Sequence, residues 1–206
     1  MTTAPDPKEA LVEVAERLFA EHGPDGVSLR DIARAAGQRN NSAVQYHFGG
    51  REHLVAEVFR RRMAQINAVR AARLAELDAA GEAGRLERLV ETLLGPLAEH
   101  VRAAGPSSTY AQFMVRTLPS VDFDASVIAE VNAVQRDLGR RMQRLVPHLS
   151  ATDFERRVEL AMTMAVSALA DFERRWNLGL VGEGDLAATT SEIVTMTTAA
   201  LQAPAA

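Results

Sequence analysis

The chain has 206 residues, 47% hydrophobic and 24% charged, with a net charge of −4, a balance that excludes a disordered chain and a histone-like coat for nucleic acid and predicts one or two domains with a substantial core. It contains no cysteine, which excludes disulfides, thiolate metal sites and cysteine nucleophiles. The charge is unevenly spread, residues 27–62 carrying +4 and residues 1–26 and 63–206 each carrying −4.

Residues 1–6 form a polar, proline-containing arm. Pro7 suits a first helical turn, and Leu11, Val14, Ala15, Leu18 and Phe19 then mark one helical stripe that ends near His22 and Gly23. The GPDG run at 23–26 is a short turn. Leu29, Ile32, Ala33 and Ala36 fall at i, i+3, i+4 and i+7, and Ser28 with Asp31 gives an S-x-x-D helix start, so a helix is predicted from about Ser28 to Ala36. Gly37 supplies a residue that accepts positive φ, and Gln38 to Asn40 carry the chain into a second helix, about Asn41 to His47. Val44 and Phe48 share its inward face, leaving Asn41, Ser42 and Gln45 outward. Two short helices around a glycine turn are helix-turn-helix grammar, and the first helix completes a three-helix unit over residues 1–50. The basic excess coincides with it.

Gly49 and Gly50 break the chain before a long periodic segment bearing Leu54, Val55, Val58, Phe59, Met63, Ile66, Val69, Leu74 and Leu77. A helix over 51–78 at ~1.5 Å per residue is roughly 40 Å long, enough to tie the first unit to the rest. Leu86, Leu89, Val90, Leu93, Leu94, Leu97 and Val101 make a strong stripe, with Gly95 and Pro96 placed to kink it. Shorter helices are predicted over about 108–118, ended by Pro119, and over about 127–146, closed by Pro147. Two longer ones follow, about 152–178 and 185–201. The run 160–170 is apolar or small on every side. No strand alternation of useful length occurs, so the expected fold is all-α with about nine helices: an N-terminal helix-turn-helix domain (1–50) and a C-terminal helical domain (51–206).

Residues 9–60, with the runs SLRDIARAAG, YHF and GGREHLVAEVF, resemble the TetR family of transcriptional regulators. The resemblance implies an all-α homodimer whose helix-turn-helix binds a palindromic operator in double-stranded DNA. It also implies a C-terminal domain that dimerises through the last two helices and takes a small-molecule effector, whose identity the sequence does not give. Tyr46 matches the family's phosphate-contacting tyrosine and Arg51 the basic residue that begins the fourth helix. Gln45 stands where the family often has an aromatic, which alters base reading.

The side-chain chemistry agrees. Asn and Gln can bond adenine bidentately in the major groove and Arg can bond guanine, so Arg39, Asn40, Asn41 and Gln45 are candidate base readers, with Ser42 beside them on the outward face. Tyr46, Arg30 and Arg51 suit phosphates, which position a protein without specifying sequence, and Ser28 is chiefly a helix cap whose hydroxyl also reaches a phosphate. Arg60 to Arg62 read as a solvated helix face. For the effector, Tyr110, Phe113, Met114, Arg116, Phe123, Met162 and Trp176 are candidate pocket residues, although an aromatic or methionine on a helical stripe is more often plain core.

A helical enzyme is the alternative from another class. The five histidines never pair at i and i+4, and no H-E-x-x-H, phosphate-binding glycine fingerprint or nucleophile elbow occurs. No catalytic residue, metal site or cofactor is therefore expected. A DNA-binding dimer governed by a protein partner is the third reading. With no charged-then-apolar leader and no run of 18 apolar residues, no membrane partner is expected and a cytoplasmic location is.

Overall fold

The computed structural model describes residues 7–38, 43–120 and 131–205. Among these it holds nine α-helices and no strand: α1 (Pro7–His22), α2 (Leu29–Ala35), α3 (Ala43–Phe48), α4 (Arg51–Ala80), α5 (Leu86–Ala104), α6 (Tyr110–Thr117), α7 (Ala133–Leu145), α8 (Ala151–Asn177) and α9 (Glu183–Gln202). Short 3-10 turns precede and follow α6. The all-α fold is as the periodicity predicts.

The first three helices pack Leu11, Val12, Ala15 and Phe19 of α1 against Ile32 and Ala33 of α2 and Val44 and Phe48 of α3. The break at Gly49 and Gly50 separates chain segments but not the core, because Leu54, Val55 and Val58 of α4, Phe113 of α6 and Leu169 and Phe172 of α8 join the same cluster. A second cluster fills the far end, where Leu74 and Leu77 of α4 and the first half of α5 meet Leu138 and Met142 of α7, Phe154 of α8 and Ile193 of α9. Helix α4, 30 residues or about 45 Å long, contributes to both.

Ion pairs fasten α1 along α4. Arg62 Nε donates to Glu16 at 2.6 Å, and Arg61 bridges Glu9 of α1 and Glu57 of its own helix. Arg60 also bonds Glu57, so the arginine run is no merely solvated face. Its partners on α1 lie 46 and 52 residues earlier in the chain, beyond the reach of a local pattern.

Two further details depart from the periodicity. Helix α5 stays one helix across Pro96, and a Cβ at Gly95 would meet the end of the Arg73 side chain of α4 at 3.0 Å. On α4 the buried stripe takes Arg70, 1% exposed, in place of Val69, 37% exposed.

Candidate DNA-binding unit and regulatory core

Helix α2 is set at both ends by its own sequence. The Ser28 hydroxyl oxygen accepts the Asp31 N–H at 3.1 Å and its O–H donates to Asp31 Oδ2 at 2.5 Å. That bond holds the Asp31 carboxyl below its ordinary pKa, with Arg34 helping. Ser28 therefore acts as the predicted N-cap. At the other end Gly37, with φ +69°, takes the left-handed conformation, and the Gly37 and Gln38 amides close onto the carbonyls of Arg34 and Ala33.

Beyond Gln38, the candidates Arg39, Asn40, Asn41 and Ser42 lie outside the described residues. Helix α3 resumes at Ala43 and is anchored by buried Val44 and Phe48. Those two anchors leave Gln45, Tyr46 and His47 exposed, Tyr46 to 84%. The rings of Tyr46 and His47 meet edge to face at 5.1 Å. Gln45 turns its amide to the Gly49 carbonyl, 2.7 Å away, closing the end of its own helix.

Arg51 braces the unit. Its Nη2 donates to the Val27 carbonyl at 3.0 Å and its Nη1 reaches Asp25 at 3.5 Å, tying the start of α4 to the loop before α2. A hollow of about 400 Å³ opens beside it, lined by Pro24, Asp25, Gly49, Gly50, Arg51 and His53. Arg30 and Arg34 are exposed on α2. Sequence reasoning passed over Arg34 and His47, for which their place next to Arg30 and Tyr46 was the available signal.

Of the candidate effector residues, Tyr110, Phe113 and Met114 are buried in the first core cluster, and Trp176 packs against it through Phe172, ring to ring at 5.4 Å. Met162 packs instead, partly buried, against the second cluster. It precedes Trp176 by fourteen residues of one helix, about 21 Å. Arg116 is exposed and donates to the Glu21 carbonyl at the end of α1 at 3.0 Å, so its polar tip serves a helix junction. Phe123 lies outside the described residues. Tyr110 stacks on Phe113 at 5.9 Å and meets His100 edge-on at 5.3 Å, and Phe113 reaches Phe19 of α1 at 6.5 Å. The core under α4, α6 and α8 is thereby continuous with that of the three-helix unit.

The sequence offered no pattern for Glu173. It is fully buried on α8 and accepts from Ser108 Oγ at 2.5 Å and from the backbone amides of Ala111 and Gln112 at 3.2 and 3.0 Å. A carboxylate there satisfies the first turn of α6 and meets the positive end of its dipole. Burial raises the pKa above the usual carboxylate value against the pull of those hydrogen bonds.

Comparison with known proteins bears on this architecture. Residues 11–58 match the family model described as bacterial regulatory proteins, tetR family. Over 62 residues the chain is 36% identical to the HTH-type transcriptional repressor AcnR of Corynebacterium glutamicum, a match that covers 29% of this chain and 32% of that protein. The aligned stretch thus spans about a third of the relative's length. A solved structure assigned to the tetR family of transcription regulators, from Shewanella sp. PV-4, superposes over 95% of this chain and 97% of its own with a TM-score of 0.65 and 21% identity. The TetR family regulator PfmR of Thermus thermophilus covers 94% of this chain and 97% of its own, with a TM-score of 0.52 and 21% identity. These structural likenesses speak to the fold, while the family match falls on the three-helix unit and the start of α4. On that unit the chain is similar to the tetR family of bacterial regulatory proteins, and its fold is similar to that of the solved regulators.

Proposed function

We propose that the protein is a sequence-specific DNA-binding transcriptional regulator that acts in the cytoplasm as a homodimer and leaves its operator when a small effector binds. The observation that carries this reading is helix α3, fixed on one side by Val44 and Phe48 and offering Gln45, Tyr46 and His47 outward, within the basic segment of an otherwise acidic chain. An exposed tyrosine in a basic setting suits a phosphate, with Ser28, Arg30 and Arg51 as further backbone contacts. Gln45 exchanges its bond to Gly49 for an adenine edge, alongside Arg39, Asn40, Asn41 and Ser42. The relative named a transcriptional repressor favours repression as the sense of regulation.

Dimerisation follows from the geometry of recognition. Two reading helices entering successive major grooves need a twofold protein with a spacing of about 34–36 Å. Helices α8 and α9 carry Leu160, 63% exposed, and Met196, 53% exposed, beside small residues that permit close packing, and these faces form the proposed contact. The division into a DNA-binding part (1–50) and a regulatory part (51–206) belongs to the same reading. A mobility shift with the DNA upstream of the protein's own gene tests it. Retardation that survives excess random competitor supports a specific regulator, and retardation abolished equally by any DNA contradicts it.

A further inference from the structure

Arg70 is the largest fully buried side chain of the molecule's described residues, and its partners are all neutral. Nε donates to the Leu93 carbonyl and Nη1 to Asn67 Oδ1, both at 2.9 Å. The Gln135 amide, with its oxygen turned to Arg70, accepts from Nη1 at 3.0 Å. No carboxylate among the described residues pairs with this guanidinium, and burial lowers its pKa to about 10. A buried charge normally keeps a counter-ion, because desolvation without one is strongly unfavourable. Elsewhere in this chain arginines meet carboxylates, as Arg62 and Arg141 do.

A second unmet group lies close enough to feel that charge. Tyr110 is fully buried and its phenol oxygen has no hydrogen-bond partner. Burial and Glu16 push the phenol's pKa up, whereas Arg70 and Arg62 pull it down. Buried polar groups are rarely left unsatisfied without a reason. Access is at hand, since a hollow of about 490 Å³ between α1, α4, α5 and the turn before α6 reaches His100, whose ring rests edge-on against Tyr110.

We propose that Arg70 and Tyr110 recognise a small organic monocarboxylate, which enters past His100 and binds between α4, α5 and α6. One carboxylate oxygen accepts from the guanidinium and the other from the phenol O–H, so a single negative charge neutralises the single buried positive one. A dianion such as phosphate leaves an excess charge and lone pairs with no donors. The remainder of the ligand is apolar, in keeping with the neighbouring Phe113 and His100 rings. Arg70 belongs to the helix that starts at the DNA-binding unit, and Tyr110 to the helix that packs on α1 through Phe113 and Phe19. A carboxylate bridging them acts on the relation of α1 to α4. That regulatory consequence rests on the effector-gated reading above, but the binding site itself does not.

The test is thermal unfolding of the full chain with benzoate and octanoate, each against its amide at equal ionic strength. We expect at least one carboxylate to raise Tm in a saturable way while its amide does not. Tyr110→Phe keeps the ring packing and deletes only the unpartnered oxygen, so it folds at least as stably as the parent, yet its affinity for the carboxylate falls about ten-fold or more. Arg70→Met abolishes the response. Equal shifts by acid and amide, no shift by either carboxylate, or an unchanged response in Tyr110→Phe each overturn the site. DNA retardation measured with the same probes separates the two readings. An Arg70-dependent Tm shift without DNA release keeps the site and removes effector gating, whereas loss of DNA binding altogether removes the regulator and leaves the Tm result standing.

Discussion

Glu173 on α8 and Ser108 ahead of α6, 65 residues apart in the chain, meet through a buried 2.5 Å hydrogen bond. With the Ala111 and Gln112 amides on the same carboxylate, α6 hangs from α8 at its start, and through Arg116 it grips the end of α1 at its finish. Glu173→Ala orphans three donors and costs about 2–4 kcal/mol of stability, and Glu173→Gln, whose amide nitrogen cannot accept a backbone N–H, about 1–2 kcal/mol. Urea unfolding measures both. A loss below that of an ordinary surface substitution contradicts the anchoring role.

The same carboxyl has a pH signature. Its folded pKa lies above the usual 4.5, so the native state binds the proton more tightly. Its contribution is full below pH 4.5 and is lost as pH rises from there to the folded pKa. Glu173→Gln removes this term, and the difference in unfolding free energy between parent and variant should fall across that window and be flat above it. A difference that does not vary with pH contradicts the raised pKa.

His100 works in the opposite sense. Burial first, and the charge of Arg62 second, lower its pKa from 6.5 to about 4. Its contribution is complete above pH 6.5 and disappears as pH falls towards 4, amounting to roughly 3 kcal/mol. His100→Gln should flatten that part of the acid limb. A parallel acid limb in the variant contradicts a neutral buried imidazole.

The Arg62–Glu16 pair, 2.6 Å and largely buried on both sides, carries α1 on α4. Glu16 also accepts from Thr109 at 3.2 Å, so it joins α1 to the approach to α6 as well. Glu16→Ala leaves a buried guanidinium without its partner and should destabilise the fold by roughly 2–4 kcal/mol. Restoring neutrality in Glu16→Gln with Arg62→Gln should recover part of the loss. A double variant no better than the sum of the singles contradicts a coupled pair.

Leu160→Glu with Met196→Glu should convert a dimer into a monomer in sedimentation while the helix content stays unchanged, since both side chains are more than half exposed on α8 and α9. Unaltered sedimentation removes these faces from the proposed contact.

Helix positions were legible wherever periodicity and end signals acted locally. The α5 stripe from Leu86 to Val101, the Ser28 cap and the Gly37 stop all appear where spacing predicts them. What escaped depends on distant partners. Arg70 occupies a stripe position that hydrophobicity assigns to Val69, because its burial is permitted by Leu93, Asn67 and Gln135 from other turns and helices. Arg61 and Arg62 read as surface charge until α1 supplies Glu9 and Glu16. At the candidate DNA site, the exposure of Tyr46 and Gln45 follows from the Val44 and Phe48 anchors, but the use of Gln45 at Gly49 and of Arg51 at Val27 required the folded chain.

The most direct measurement is selection of binding sites by the full chain from a random duplex pool, followed by titration of the enriched sequence with parent, Tyr46→Ala and Gln45→Ala proteins. Operator recognition predicts enrichment of an inverted repeat with half-sites about one helical turn apart. Tyr46→Ala should weaken binding to all sequences alike, whereas Gln45→Ala should relax one base pair by about 1–3 kcal/mol. A pool that stays random, with equal affinity for every duplex and no difference between the two variants, contradicts the account.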